Sequence, residues 1–172
     1  GILTRVSSSH IRFGTFEFVN NFCSKDELKI FIQYVIDRHF PQIKETENPA
    51  IELFELVMIK QIDLIVNWMR VGFIHGVMNT DNMSIFGETI DYGPCAFMNE
   101  YNPDTVFSSI DRFGRYSFGN QAKIIHWNLA VFANTLIPII SDNKEESVDL
   151  VKERLDKFPL IFSSSWYNMM YK

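Results

Sequence analysis

Apolar residues recur at helical spacing over several stretches of the chain and break into short runs between them. Ser24 with Glu27 makes a capping box for a helix to about Arg38, with Leu28, Phe31, Ile32 and Val35 as its apolar stripe. Phe40-Pro41 ends it, because the residue before a proline is pushed out of the helical region. After the charged loop Gln42–Glu47, Asn48 as cap and Pro49 as first helical residue start the longest helix, reaching about Val71. Its polar residues Glu52, Glu55, Asp63, Asn67 and Arg70 fall on one narrow stripe, so most of its circumference is expected to be buried. Asn120–Ile140 reads as a second core helix that Pro138 bends or ends. Asp142 with Glu145 caps another, amphipathic through Val148, Val151 and Leu155 to about Phe158. Leu160–Lys172 begins a further helix and stops without a terminating signal, as though the chain were cut there.

The segments between these helices carry the chemistry. Ile2–Val6 is a short β-branched run that reads as a strand, and Ser7-Ser8-Ser9 offers a cap to a helix beyond it, which Gly14 weakens. Arg5 and Arg12 flank this serine cluster. Arginine grips phosphate bidentately, but spacing alone favours guanidinium groups that are solvated or paired with acids. Val71–Pro94 gathers His75, Asp81, Asn82 and Asp91 into one loop-and-hairpin segment. Within it, MSIFGETI reads as two very short strands. With Phe86 and Gly87 as the two turn residues, Met83 faces Ile90 and Asn82 faces Asp91. That register puts an amide oxygen beside a carboxylate, with Asp81 one residue away. Mg²⁺ or Mn²⁺ takes such hard oxygens and completes its shell with water and phosphate. An Asn/Asp-rich turn capping its own backbone is the plainer alternative for any one of these residues; the three together favour the metal. Cys95–Gly119 is a long irregular passage, expected to act as a lid or substrate-binding loop. Arg112 and Arg115 within it can meet phosphate or form structural ion pairs. His126 reads as a satisfied core histidine.

Composition narrows the classes. At 172 residues the chain is one ordinary domain or a large piece of one, and 47% hydrophobic with 22% charged residues describes a folded globular protein. The formal net charge of −5 argues against a nucleic-acid footprint. Sixteen Phe, six Tyr and three Trp imply an aromatic core. Two cysteines in unrelated contexts suggest neither a disulfide framework nor a zinc site, which favours a reducing compartment. No apolar run is expected to span a membrane, since the best candidate, Trp127–Ile140, is interrupted by Asn128, Asn134 and Pro138. No signal peptide is recognisable ahead of GILTRVS.

HGVMNTDNMSIFGETIDYGP closely resembles the signature of the selenoprotein O family of protein adenylyltransferases. RVSSSHIRFGTFEF near the start and FGRYSFGNQ with the following WNLA resemble the same family's flanking segments, in the same order. The resemblance implies a protein-kinase-like fold that binds ATP in reversed orientation and transfers AMP to Ser, Thr or Tyr hydroxyls of target proteins. By the same resemblance Asp81 is the catalytic base, and Asn82 and Asp91 are metal ligands, Asp91 also meeting the nucleotide phosphates. Arg5 and Arg12 contact ATP. Asp91-Tyr92-Gly93 resembles the kinase Asp-Phe-Gly motif, while Val77 stands where a kinase catalytic loop carries its aspartate, which disfavours ordinary kinase chemistry. Phe107 stands where many relatives have a cysteine implicated in redox control.

The expected fold is therefore mainly α with a short β-hairpin, a kinase-like C-lobe without its N-lobe. It is one incomplete domain, with an arginine-bearing segment over 1–23 and helices over 24–71. The catalytic loop and metal-binding hairpin take 72–94, an activation-loop-like segment 95–119, and helices 120–172. The expected partners are ATP and hydroxyl-bearing proteins, with no nucleic acid and no membrane. Bacterial cytoplasm is the expected compartment, mitochondria the alternative. The alternative functions are transfer of UMP or of phosphate, or ATP binding without catalysis as a pseudokinase.

Overall fold

Phe132 lies at the middle of the molecule, and the rings around it bring three helices together. The computed structural model describes residues 1–2 and 4–171. Among them run α1 (Phe13–Phe22), α2 (Lys25–His39), α3 (Pro49–Arg70), α4 (Gln121–Ile140), α5 (Lys144–Leu155) and α6 (Phe158–Met170). Phe13 of α1 stacks on Phe132 of α4 at 4.9 Å between ring centroids, and Phe16 meets it edge-on at 4.9 Å. Phe54 of α3 completes the cluster at 6.3 Å, and all four side chains are fully buried. From this centre α3 extends to pack on α6, and α4 to pack on α5. The aromatic core expected from composition is thus the joint that fixes α1 to the helical body.

Local signals placed α2 and α3 well. Ser24 Oγ accepts the Glu27 amide, and the Glu27 carboxylate accepts the Ser24 amide at 2.8 Å. The Ser24 amide, and then its hydroxyl, donating to this carboxylate hold the Glu27 carboxyl below its usual range. Asn48 Oδ1 caps α3 through the Ile51 amide at 3.3 Å, while its Nδ2 donates to Ile140 O at 3.0 Å. One side chain thereby starts α3 and ties it to the end of α4. The α3 face is buried over most of its circumference, and Asp63, Asn67 and Arg70 remain exposed as the stripe requires.

Elsewhere the structure departs from expectation. Leu3 lies outside the described residues, and the rest of Ile2–Val6 forms no strand. The serine cluster does not cap α1. Arg12 holds the cap position, its amide donating to Thr15 Oγ1 at 3.2 Å, and Ser9 Oγ instead accepts the Ile11 amide. Ile11–Phe13 pairs sideways with the central hairpin: Phe13 N donates to Met83 O at 3.0 Å and Ile85 N to Ile11 O at 3.2 Å. An extended segment tied down by ladder bonds cannot be helical, which moves the start of α1 past the serines.

The hairpin itself is off by one. Met83 pairs with Thr89, not Ile90, and the turn closes from Gly87 N to Ser84 O at 3.2 Å. Ile85, Phe86 and Gly87 make a three-residue loop in which Gly87, at φ +66°, takes the left-handed position. The regular strands lie outside it: β1 (Phe73–Ile74) pairs antiparallel with β2 (Ala96–Phe97), Phe73 facing Phe97.

Asn143, not Asp142, caps α5, accepting the Glu145 amide at 3.0 Å, and α4 runs through Pro138 to Ile140. His126 stacks on Phe158 at 4.8 Å, and its buried Nε2 has no partner among the described residues, so it is not the satisfied histidine expected. Phe118–Ile140 is long and apolar enough to cross a membrane, contrary to expectation. Half of it is buried here, against α1, α3 and α5.

Phe132→Ala should cost about 3–5 kcal/mol, the usual loss for a fully buried phenylalanine. Urea unfolding with an unchanged m-value measures it; a loss under about 1 kcal/mol would show that the ring cluster does not join these helices.

Candidate active site

The segment from β1 to β2 is buried for much of its length, yet only its two ends form a sheet. Backbone groups buried without a ladder need other partners. Side-chain amides from the two core helices supply them. Gln121 of α4 accepts the His75 amide at 3.1 Å and donates to Phe73 O at 3.0 Å. Asn128, further along α4, donates to Met78 O at 2.9 Å, and Gln61 of α3 donates to Ser84 O at 2.7 Å. All three amides are fully buried. Gln61 Oε1 and Asn128 Oδ1 have no protein partner among the described residues, so both side chains bond the loop through their N–H groups alone.

His75 joins the two halves of the segment. Its Nε2 lies 2.9 Å from Ile90 O, and the Val77 amide approaches Nδ1 at 3.4 Å. A carbonyl only accepts, so Nε2 carries a proton, and Nδ1, accepting the Val77 amide, leaves the ring neutral. It bridges the start of the loop to the residue before Asp91. Trp68 of α3 lies against the ring at 5.3 Å and donates from Nε1 to Thr89 Oγ1 at 2.8 Å. Gly76, at φ +86°, lets the loop cross close over Pro94 and Phe107, where a Cβ would overlap both carbonyl oxygens.

Arg12, Val77, Asn82, Asp91, Tyr92, Gly93 and Pro94 line one open cleft of about 470 Å³. Asp91 has φ +54°, a left-handed conformation that costs a non-glycine residue roughly 1–2 kcal/mol. It reaches the cleft by this turn of the backbone, since the observed register does not set it opposite Asn82. Asn82 Nδ2 donates to Val77 O at 2.8 Å, which leaves Oδ1 free to bind a cation. Arg12 pairs with Asp91 Oδ2 at 2.9 Å, both side chains more than a third exposed.

The other candidates lie around this cleft. Asp81 is exposed, with its carboxylate against the first turn of α1. Arg5 contacts the Asp91 segment, its guanidinium 4.6 Å from the Tyr92 ring centroid and bonded to Thr89 O. Both arginines therefore touch this segment, and Arg12 alone of the pair lines the cleft. Arg115 sits over Trp127 at 4.8 Å, and neither it nor Arg112 makes an ion pair among the described residues. Cys95–Gly119 is irregular beyond β2, as expected, and presents Tyr101, Ile110 and Phe113 to solvent.

No group of three or more His, Cys, Asp or Glu residues able to hold a metal is formed among the described residues. The protein oxygens available are Asp91 and Asn82 Oδ1. This set suits Mg²⁺ or Mn²⁺ arriving with phosphate oxygens, because those ions use one or two carboxylates beside substrate and water. It does not suit a resident all-protein site.

A helical body thus presents an Asn–Asp pair and an arginine at one open cleft. Residues 1–172 match the family described as protein adenylyltransferase SelO, and the chain belongs to that family. It is 54% identical over 169 residues to the protein nucleotidyltransferase YdiU of Pelagibacter ubique, covering 98% of this chain and 35% of that one. The corresponding proteins of Anoxybacillus flavithermus and Alkaliphilus metalliredigens are 50% and 52% identical over the same length. The chain thus spans about a third of the relatives it matches.

Burial holds the His75 pKa below its ordinary value, against the Ile90 bond and the Asp91 charge, which raise it. The unfolded chain therefore takes up a proton near pH 6.5 where the folded one does not. This histidine's stability contribution is complete above that pH and is lost as pH falls through the folded value. Burial first, then the Arg38 charge, shifts His39 in the same direction. The melting temperature should fall from pH 7 to pH 5, and less steeply in His75→Gln. An equal slope in the variant would contradict the neutral bridge.

Proposed function

We propose that this chain is the metal-binding lobe of a protein adenylyltransferase, with a kinase-like C-lobe fold, transferring AMP from ATP to Ser, Thr or Tyr hydroxyls of target proteins. The observation that carries the reading is the shared cleft of Asn82 and Asp91, with Arg12 already on the Asp91 carboxylate. Family membership supports the reaction class.

Transfer at phosphorus needs neutralised phosphate oxygens and an oriented nucleophile more than covalent help from the protein. Asn82 Oδ1 and Asp91 would hold Mg²⁺ or Mn²⁺, which supplies charge neutralisation at the phosphates when bound. An exposed Arg–Asp pair is worth about 0–1 kcal/mol, so Arg12 is free to exchange Asp91 for a phosphate oxygen. Arg5, steadied on Tyr92, adds positive charge beside the Asp91 segment. The acceptor hydroxyl oxygen bonds to the α-phosphorus while the bond to the bridging oxygen breaks and pyrophosphate leaves. Asp81 takes the hydroxyl proton, a role worth roughly 10²–10⁴ in rate. Because the chain covers a third of its relatives, the rest of the nucleotide clamp is assigned to the remaining length of the full protein.

Full-length protein incubated with a target protein and ATP labelled on the α- or γ-phosphate tests this. Protein should keep the α label and not the γ label, and Asp91→Ala should lower incorporation by at least roughly 10²-fold. Label retained from γ would mean phosphotransfer, and no label from either would mean a non-catalytic ATP binder. Competition with labelled UTP separates AMP from UMP transfer.

A further inference from the structure

Gly14 is the second residue of α1, where a glycine has no capping role and weakens the helix relative to alanine. The structure gives it another use. A Cβ built there would lie inside the contact radius of Asp81 Oδ1 and only 3.1 Å from Asp81 Cγ and 3.5 Å from its Cα. The close contacts are with the Asp81 carboxylate, while its Cα stays at ordinary van der Waals distance, so it is the carboxylate that would have to turn away from an added side chain. Neither backbone at this contact is free to move. The start of α1 is held by the Phe13–Met83 and Ile85–Ile11 hydrogen bonds and by Phe13 stacked on Phe132. The turn Thr80–Asn82 is held by the Asn82 amide on Asn79 O at 3.0 Å and by Asn82 Nδ2 on Val77 O.

We infer that Gly14 is a positioning residue for Asp81: the missing side chain is the seat that lets the carboxylate rest on the first turn of α1 beside the cleft. The same turn carries Arg12 on Asp91, so Asp81 and the cleft arginine share one helix start. The inference rests on the proposed role of Asp81 in AMP transfer. Helix propensity and positioning predict opposite signs for Gly14→Ala. Alanine favours the helix but displaces the acid.

The test uses the full-length protein, α-labelled ATP and Mn²⁺. Gly14→Ala should lower kcat by roughly 10²-fold, the cost of misplacing a catalytic group by about 1 Å, while the Kd for ATP stays within twofold. In an Asp81→Ala background it should cost nothing further, because the group it positions is gone. An unchanged kcat, a parallel loss of ATP affinity, or an equal loss in both backgrounds would overturn the assignment. Should Gly14→Ala impair folding, adding Asp81→Ala must restore the melting temperature; one that stays low overturns it equally. Wild-type protein that transfers no AMP would instead sink the functional reading. The two failures are therefore distinguishable.

Discussion

Irregular backbone buried between helices is the constraint that the rest of this structure serves. The loop from Phe73 to Ser84 must pass through the interior to bring Asn82 to a cleft, and from His75 to Asn82 it has no ladder partner among the described residues. An unsatisfied buried carbonyl or amide costs about 1–3 kcal/mol. Gln121, Asn128 and Gln61 remove that cost at four points of the loop. Because the amides project from α3 and α4, whose packing the Phe132 cluster secures, the loop inherits the rigidity of the core. His75 carries the same support to Ile90 and so to Asp91.

Rigidity in the loop is matched by looseness at the acid it presents. Asp91 is held in a strained backbone conformation, but its carboxylate is restrained by one partly exposed ion pair. Such a pair neutralises the acid without competing strongly against a divalent ion, since its net worth is at most about 1 kcal/mol. Position is fixed by buried neutral groups and charge is left exchangeable, which is the division of labour the proposed phosphate transfer requires.

The caps of α2 and α3 were legible because they are local: Ser24 with Glu27, and Asn48 with Pro49, name their own partners, whereas those of α1 and α5 fell on Arg12 and Asn143 and not on the serines or Asp142. The hairpin register was not. A glycine at position 87 suits either a two-residue turn or the last place of a three-residue one, and only the pairing of Met83 with Thr89 decides. Asn82 and Asp91 reach the same cleft by a different route, through the left-handed turn at Asp91, which no spacing argument foresees. The roles of Arg5 and Arg12 came from resemblance alone. The amides went unseen because a lone Gln or Asn on an apolar face marks a polar contact but not its partner. Gln61, Gln121 and Asn128 each interrupt such a face, and that interruption is the signal that was available.

The most direct test is a pair of structures of the full-length protein, one free and one with Mn²⁺ and a non-hydrolysable ATP analogue. A preformed cleft predicts that the backbone from His75 to Ser84 moves by less than about 1 Å. It also predicts that Asn82 Oδ1 and Asp91 share one ion, and that Arg12 leaves Asp91 for the phosphates. An ion bound away from these two residues, or a loop that rebuilds its bonds to Gln61, Gln121 and Asn128 on binding, would contradict it.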